Sequence, residues 1–340
     1  MSQNNNNRAP LSEPFTRWSF WLAGSIVLIV GFGVGWLAGS DYLHSYYVHQ
    51  LANSPSGIRE AVRDYPLVNA LLATDSRSDL RVDENIDKKL DSYVVAAEAT
   101  SSIEKISVFY RDLVYGEWVG VNENISYDPA SMLKVAHLIS ILQLAEKDPN
   151  VLNLRLPYNF SPEGFNTLTP GKSYTIEQLL EAMIVKSDNG AKDALTSYLS
   201  SNQILDVFEE LGVMPQGSGN YVISARNYSL FFRVLYNATF LSREMSEKAL
   251  ELLSRTEFDD GLVAGVPPGT TVAHKFGQYD VIRNGAHAAI ELHDCGIVYQ
   301  PKGDDYFLCV MTRGKDYNVQ AGIIKTISSI VYGARSETAN

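Results

Sequence analysis

The chain has 340 residues, 45% of them hydrophobic, enough for one large domain or two small ones plus an anchor. Its 39 acidic and 28 basic side chains leave a net charge of −11, and no basic cluster lies outside the N-terminal flank, which argues against nucleic acid as a partner. Two cysteines and no His/Cys pair at ligand spacing argue against a metal centre, and nothing in the sequence calls for a cofactor.

Residues 1–17 are polar and Asn-rich, the composition of a disordered tail. Residues 18–39 run for 22 positions without a charge, enough to cross a bilayer at about 1.5 Å per residue. Trp18, Trp21 and Trp36 fall near the two ends, where interfacial aromatics belong. Arg8 and Arg17 precede the run and no Lys or Arg follows until Arg59, so the tail is expected in the cytoplasm and the rest outside. A cleaved signal peptide is the competing reading, but the run exceeds the signal core of about 7–15 residues. Residues 40–83 read as a juxtamembrane spacer.

From residue 84 the pattern becomes globular. The spacing predicts a helix over 86–97 and strands over 105–111 and 117–121 around the turn Val114-Tyr115-Gly116. An apolar run from Val135 to Leu144 predicts a helix. Helical patterns follow at 176–185, 191–199, 204–211, 228–236 and 244–255, then strands at 271–277, 286–299 and 305–312, and a closing helix at 321–332. Strands from both ends of the region with helices between them predict an α+β fold. One lobe is an antiparallel sheet built from the two termini. The other is an all-α insertion over about 147–260, and a pocket belongs between them. Cys295 and Cys309 sit near-opposite in the predicted hairpin 295–311. They are either a cross-strand disulfide or two buried thiols.

Three short motifs occur in order: Ser131-Met-Leu-Lys134, Ser187-Asp-Asn189 and Lys275-Phe-Gly277. Each alone says little. The first puts a serine and a lysine about one turn apart on a helix. A serine hydroxyl is a weak nucleophile until a neighbouring base takes its proton. A lysine serves as that base when burial or nearby positive charge lowers its pKa, and Lys275 is a candidate source of such charge.

Together the motifs resemble the S-x-x-K, S-D-N, K-T-G signature of class A β-lactamases and penicillin-binding proteins. The resemblance spans about 84–335. Asp128-Pro-Ala-Ser131 is similar to the approach to the nucleophile in penicillin-binding proteins. Ile223-Ser-Ala-Arg-Asn227 is similar to the segment after the family's Ω-loop, and 295–299 with 306–313 to its last two strands. The resemblance implies a three-layer αβα fold with a five-stranded antiparallel sheet. It implies that Ser131 forms an acyl-enzyme, that Lys134 accepts its proton, and that Ser187 relays a proton to the leaving nitrogen. Asn189 would bind the substrate amide and Lys275 would attract a substrate carboxylate. The backbone N–H groups of Ser131 and Gln278 would form the oxyanion hole. The implied partners are a β-lactam or a peptidoglycan-type D-alanyl peptide, and the membrane through 18–39.

Two departures stand out. Phe276 replaces the hydroxyl residue that would bind a carboxylate, and Arg283 is either its substitute, gripping a carboxylate bidentately, or a solvated charge at a strand end. Between Asn189 and Ser224 no Ω-loop acid of the β-lactamase type is found; Glu209 and Glu210 read as solvent-facing charges on an ordinary helix. That acid activates the deacylating water in β-lactamases. A penicillin-binding D,D-peptidase or a non-hydrolytic sensor is therefore the alternative to a β-lactam hydrolase.

Overall fold

The computed structural model describes residues 65–68, 84–159, 161, 164–213, 221–301 and 304–338. The predicted tail (1–17) and membrane span (18–39) lie outside the described residues, as does most of the spacer. No helix among the described residues is long and apolar enough to cross a membrane.

Helix α1 (Glu84–Glu98) opens the domain with Glu84 and Asp87 in its first turn, which favours the positive end of the helix dipole. Ile86, Leu90 and Val94 recur every four residues and are its buried stripe. Strands β1 (Ile103–Asp112) and β2 (Trp118–Val121) form the predicted hairpin, and β3 (Ser126–Tyr127) leads to the nucleophile segment. Helix α2 (Lys134–Lys147) follows. Then come β4 (Arg155–Pro157), β5 (Ser173–Thr175), α3 (Ile176–Val185), α4 (Asn189–Tyr198), α5 (Ser201–Glu210), β6 (Ile223–Ser224), α6 (Ala225–Tyr236) and α7 (Arg243–Ser254). The chain closes with β7 (Val272–Arg283), β8 (Ala286–Val298), β9 (Tyr306–Gly314) and α8 (Tyr317–Thr338).

The main sheet is antiparallel with order β2-β1-β9-β8-β7, so both ends of the domain meet in it. Alternation along β9 separates two cores. Leu308 and Val310 join Ile86, Leu90, Ile324 and Ile327 of α1 and α8 on one face. Phe307, Cys309 and Met311 join Val135, Ile139, Leu180 and Phe232 of the helical lobe on the other. The result is the expected three-layer arrangement, with helices over both faces of the sheet. Cys295 and Cys309 are direct register partners, and they are bonded on the face under the helical lobe.

Three expectations need correction. The insertion lobe is not all-α: β4 pairs with β5, and β3 pairs with β6. These short ladders satisfy backbone groups where the chain crosses between helices, too briefly to leave a periodic signal. The strand predicted to end at residue 277 continues to Arg283. Asn284 (φ 54°) and Gly285 (φ 76°) supply the left-handed pair that a tight hairpin turn requires. Finally, part of the predicted spacer is packed: the N–H groups of Leu67 and Val68 donate to Glu247, and Tyr299 Oη donates to the Leu67 carbonyl.

Candidate active site

Ser131 lies in a 3₁₀ turn, Ala130–Leu133, that feeds directly into α2. The turn is held from below by the sheet. Glu291 on β8 accepts from the Asp128 N–H at 2.9 Å and from Arg313 Nε on β9 at 2.7 Å. His293 donates from Nε2 to the Asp128 carbonyl at 3.1 Å, since its Nδ1 accepts from the Thr312 N–H. Burial opposes the Glu291 charge, but the hydrogen-bonding neighbours His293 and Arg313, and the Arg313 charge, pull its pKa below the ordinary value. Ala130 sits at φ 48°, a left-handed conformation that a residue with a Cβ adopts only when its surroundings impose it.

The second motif forms the corner between α3 and α4. Ser187 also has a positive φ, 54°, which ends α3 and turns its side chain inward. Asp188 is fully buried and caps α4 by accepting from the Ala191 N–H at 2.7 Å. It also accepts from Tyr158 Oη, from Thr167 Oγ1 at 2.8 Å and from the Thr167 N–H. This pins the corner to the connection 158–168. The third motif lies on β7, where Gly277 runs against the nucleophile turn: a Cβ there would stand 2.5 Å from the Pro129 carbonyl oxygen.

These elements bring Ser131, Lys134, Ser187, Asn189 and Lys275 together as the motif spacing predicts. Lys134 Nζ lies 3.1 Å from Ser131 Oγ, 2.6 Å from the Ser187 carbonyl, 3.2 Å from Ser187 Oγ and 2.5 Å from Asn189 Oδ1. Lys275 Nζ donates to Ser187 Oγ at 3.0 Å and to the Phe276 carbonyl at 3.2 Å, and lies 4.2 Å over the Phe276 ring. The Ser187 hydroxyl therefore bridges two buried lysines. Burial, and then the Lys192 charge, push Lys134 down to about 7. Burial, and then the Lys134 charge, hold Lys275 well below the ordinary lysine value.

The motifs line one cleft of about 910 Å³ that also includes Gln278, Phe165, Tyr221 and His137. Phe276 stacks on Phe258 with ring centroids 4.2 Å apart. Arg283 does not reach the cleft. It sits at the outer end of β7, half exposed, and pairs with Glu104 at 3.1 Å. The carboxylate-gripping role expected for it is thus corrected: the strand continues away from the nucleophile, and the guanidinium follows it. Glu209 and Glu210 are exposed on α5, and residues 211–223 contain no Asp or Glu. The motifs gave no hint of His137, nor of the Tyr158–Thr167–Asp188 and Glu291–Arg313–His293 groups. A His one turn past the S-x-x-K lysine is the only sequence signal available for the first. The others are assembled by long-range contacts.

Comparison with known proteins bears on the fold and the family. The chain superposes on a structure of PBP-A with a TM-score of 0.66 at 21% identity, covering 77% of this chain and 99% of that one. It superposes on a beta-lactamase from Chitinophaga pinensis with a TM-score of 0.66 at 19% identity, covering 74% and 100%. For the TLA-1 extended-spectrum beta-lactamase the TM-score is 0.63 at 21% identity, covering 72% and 98%. Likeness at this identity shows a shared fold. No curated protein sequence matches the chain. A sequence profile described as the beta-lactamase enzyme family matches residues 85–334, nearly all of the globular region. The chain therefore belongs to the beta-lactamase enzyme family.

Proposed function

We propose that this protein is a membrane-anchored serine hydrolase that forms an acyl-enzyme on Ser131 with β-lactams or related D-alanyl peptides. The observation that carries the reading is the unbroken chain Ser131–Lys134–Ser187–Lys275, with the first lysine held near neutrality by burial. Lys134 takes the Ser131 proton as Oγ attacks the carbonyl carbon. The oxyanion that forms is met by the N–H groups of Ser131 and Gln278, donors worth about 3–4 kcal/mol each. Ser187 passes a proton to the leaving nitrogen, and Lys275 keeps the Ser187 hydroxyl oriented. Asn189 offers its amide to the substrate side chain. A PBP-A point mutant has been captured as an acyl-enzyme complex with penicillin G, which supports penicillin as the first probe.

The anchor is the uncharged run 18–39, with 1–17 in the cytoplasm and the domain 84–335 outside the membrane; the connection 40–83 packs on the domain at Leu67 and Val68. The lack of a carboxylate in 211–223 favours a second reading, a penicillin-binding D,D-peptidase or sensor in which the adduct persists. The test is intact-mass spectrometry of the full chain mixed with penicillin G. The reading expects an adduct of one penicillin mass on the wild type and none on Ser131→Ala. No adduct and no penicillin consumption in the wild type removes it.

A further inference from the structure

The acyl-enzyme reading leaves one step without a base, the attack of water on the Ser131 ester, and the inference here rests on that reading. Of the titratable side chains that line the cleft among the described residues and have no role so far, His137 is the one imidazole. His137 is on α2, one turn past Lys134, and lines the same cleft as Ser131. Its Nδ1 lies 3.0 Å from the Leu133 carbonyl oxygen. A carbonyl only accepts, so Nδ1 carries the proton and Nε2 keeps its lone pair. That bond also folds the ring back along the helix toward the turn that bears Ser131. Among the described residues Nε2 has no hydrogen-bond partner.

The surroundings keep the imidazole neutral. Burial, and then the charges of Lys192 and Lys134, lower its pKa below the ordinary histidine value, with Asp193 working the other way. Lys134 is on its own helix, and Lys192 and Asp193 are on α4. From α5 the cleft receives only the apolar Ile204 and Phe208, and from β7 the carboxyl of Asp280. With no acid in 211–223, no carboxylate from that connection competes for the task.

We propose that His137 Nε2 is the general base of deacylation. A water in the cleft gives one proton to Nε2 while its oxygen bonds to the ester carbonyl carbon. The tetrahedral intermediate collapses, the bond from that carbon to Ser131 Oγ breaks, and the proton held by His137 passes to Oγ, directly or through neutral Lys134. The acid leaves with the water oxygen, and His137 and Lys134 both end neutral, as they began.

The experiment follows the mass of the full-length chain after a pulse of penicillin G, in the wild type and in His137→Asn. Asparagine retains an N–H for the Leu133 carbonyl but carries no base, so a purely structural role would leave adduct lifetime unchanged. The expected result is an adduct in both, decaying about 10²-fold more slowly in the variant. In the wild type, decay should be flat around neutral pH and slow only as acid protonates the ring, at a lower pH than for an ordinary histidine. That profile tests the idea without any substitution. Equal lifetimes in the two proteins, or a wild-type adduct that never decays, overturn the role of His137 alone. No adduct and no penicillin consumption in the wild type overturns the acyl-enzyme reading, and this inference with it.

Discussion

Lys134 provides the most direct quantitative test, because its burial and its hydrogen-bond partners bear directly on its protonation. The side chain is 2% exposed. Two of its neighbours, the Ser187 carbonyl at 2.6 Å and Asn189 Oδ1 at 2.5 Å, can only accept. A neutral amine has two protons, and these two acceptors use both. The lone pair is then left for a hydroxyl, that of Ser131 at 3.1 Å or that of Ser187 at 3.2 Å. Burial pushes Lys134 from the ordinary 10.5 to about 7. At about pH 7.5 an ordinary lysine is neutral about one time in 10³, whereas one near 7 is neutral about three times in four. Burial therefore raises the supply of base by roughly 10³-fold, in line with the 10²–10⁴-fold typical of general-base catalysis. Acylation of Ser131 by penicillin G, followed by quenched-flow mass spectrometry, should rise about tenfold per pH unit below about pH 7 and level off above about 8. Lys134→Ala should lose about 10²–10⁴-fold in acylation rate while unfolding at a similar denaturant midpoint. A profile flat across this range or unchanged kinetics in Lys134→Ala would remove Lys134 as the base, and a rise centred near 10.5 would refute the lowering by burial.

Other perturbations reach different parts of the site. Phe276→Thr exchanges the ring over Lys275 for a hydroxyl facing the cleft, and should tighten binding of carboxylate-bearing substrates about tenfold, equivalent to roughly 1.4 kcal/mol; equal affinity would make Phe276 packing alone. Asp188→Ala removes the α4 cap and the buried acceptor that Tyr158 Oη and the Thr167 hydroxyl share. We expect a loss of about 3–5 kcal/mol in urea unfolding together with loss of acylation, and a stability change under about 1 kcal/mol would show that the corner does not depend on it. The Cys295–Cys309 bond closes a separation of 14 residues, for which chain entropy gives about 3 kcal/mol. Cys295→Ala/Cys309→Ala should fall short of that figure, because the β8–β9 ladder already holds the two strands together. A midpoint unmoved by reductant in the wild type would show that the bond is not formed.

What was legible in the sequence is what short-range pattern encodes. The serine–lysine spacing on α2, the helix-breaking Ser187-Asp188 and the apolar runs of β8 and β9 each depend on residues a few positions apart. The grouping of Ser131, Lys134, Ser187, Asn189 and Lys275 followed from them, and so did the sheet assembled from both ends of the domain. Arg283 was ambiguous because its role turned on where β7 ends. The Asn284-Gly285 pair was the signal that the strand continues past the cleft, and it outweighs any resemblance-based expectation. The short ladders of β4 with β5 and β3 with β6 were invisible, since two or three residues cannot display a period. His137 was hidden by its setting in an apolar helical run, where a histidine reads as core. Its exposure to the cleft depends on the packing of α4 and α5, which no local pattern reports.

The nucleophile is positioned by contacts that local sequence does not specify. Ala130 and Ser187 are both left-handed residues with side chains, each costing about 1–2 kcal/mol in isolation. They persist because polar groups distant in sequence clamp the chain beside each of them. Asp128, two residues before Ala130, is held by Glu291 and His293 from 163 and 165 residues away. Asp188, next to Ser187, is held by Tyr158 and Thr167 on another connection. The two strained residues bring the Ser131 and Ser187 hydroxyls within 3.1 and 3.2 Å of one lysine nitrogen. Neither clamp touches a reacting atom, yet loosening either would let its strained residue relax and move an oxygen away from Lys134. Sensitivity to substitution should therefore extend to Glu291 and Asp188, with the geometry of the site and the stability of the domain lost together.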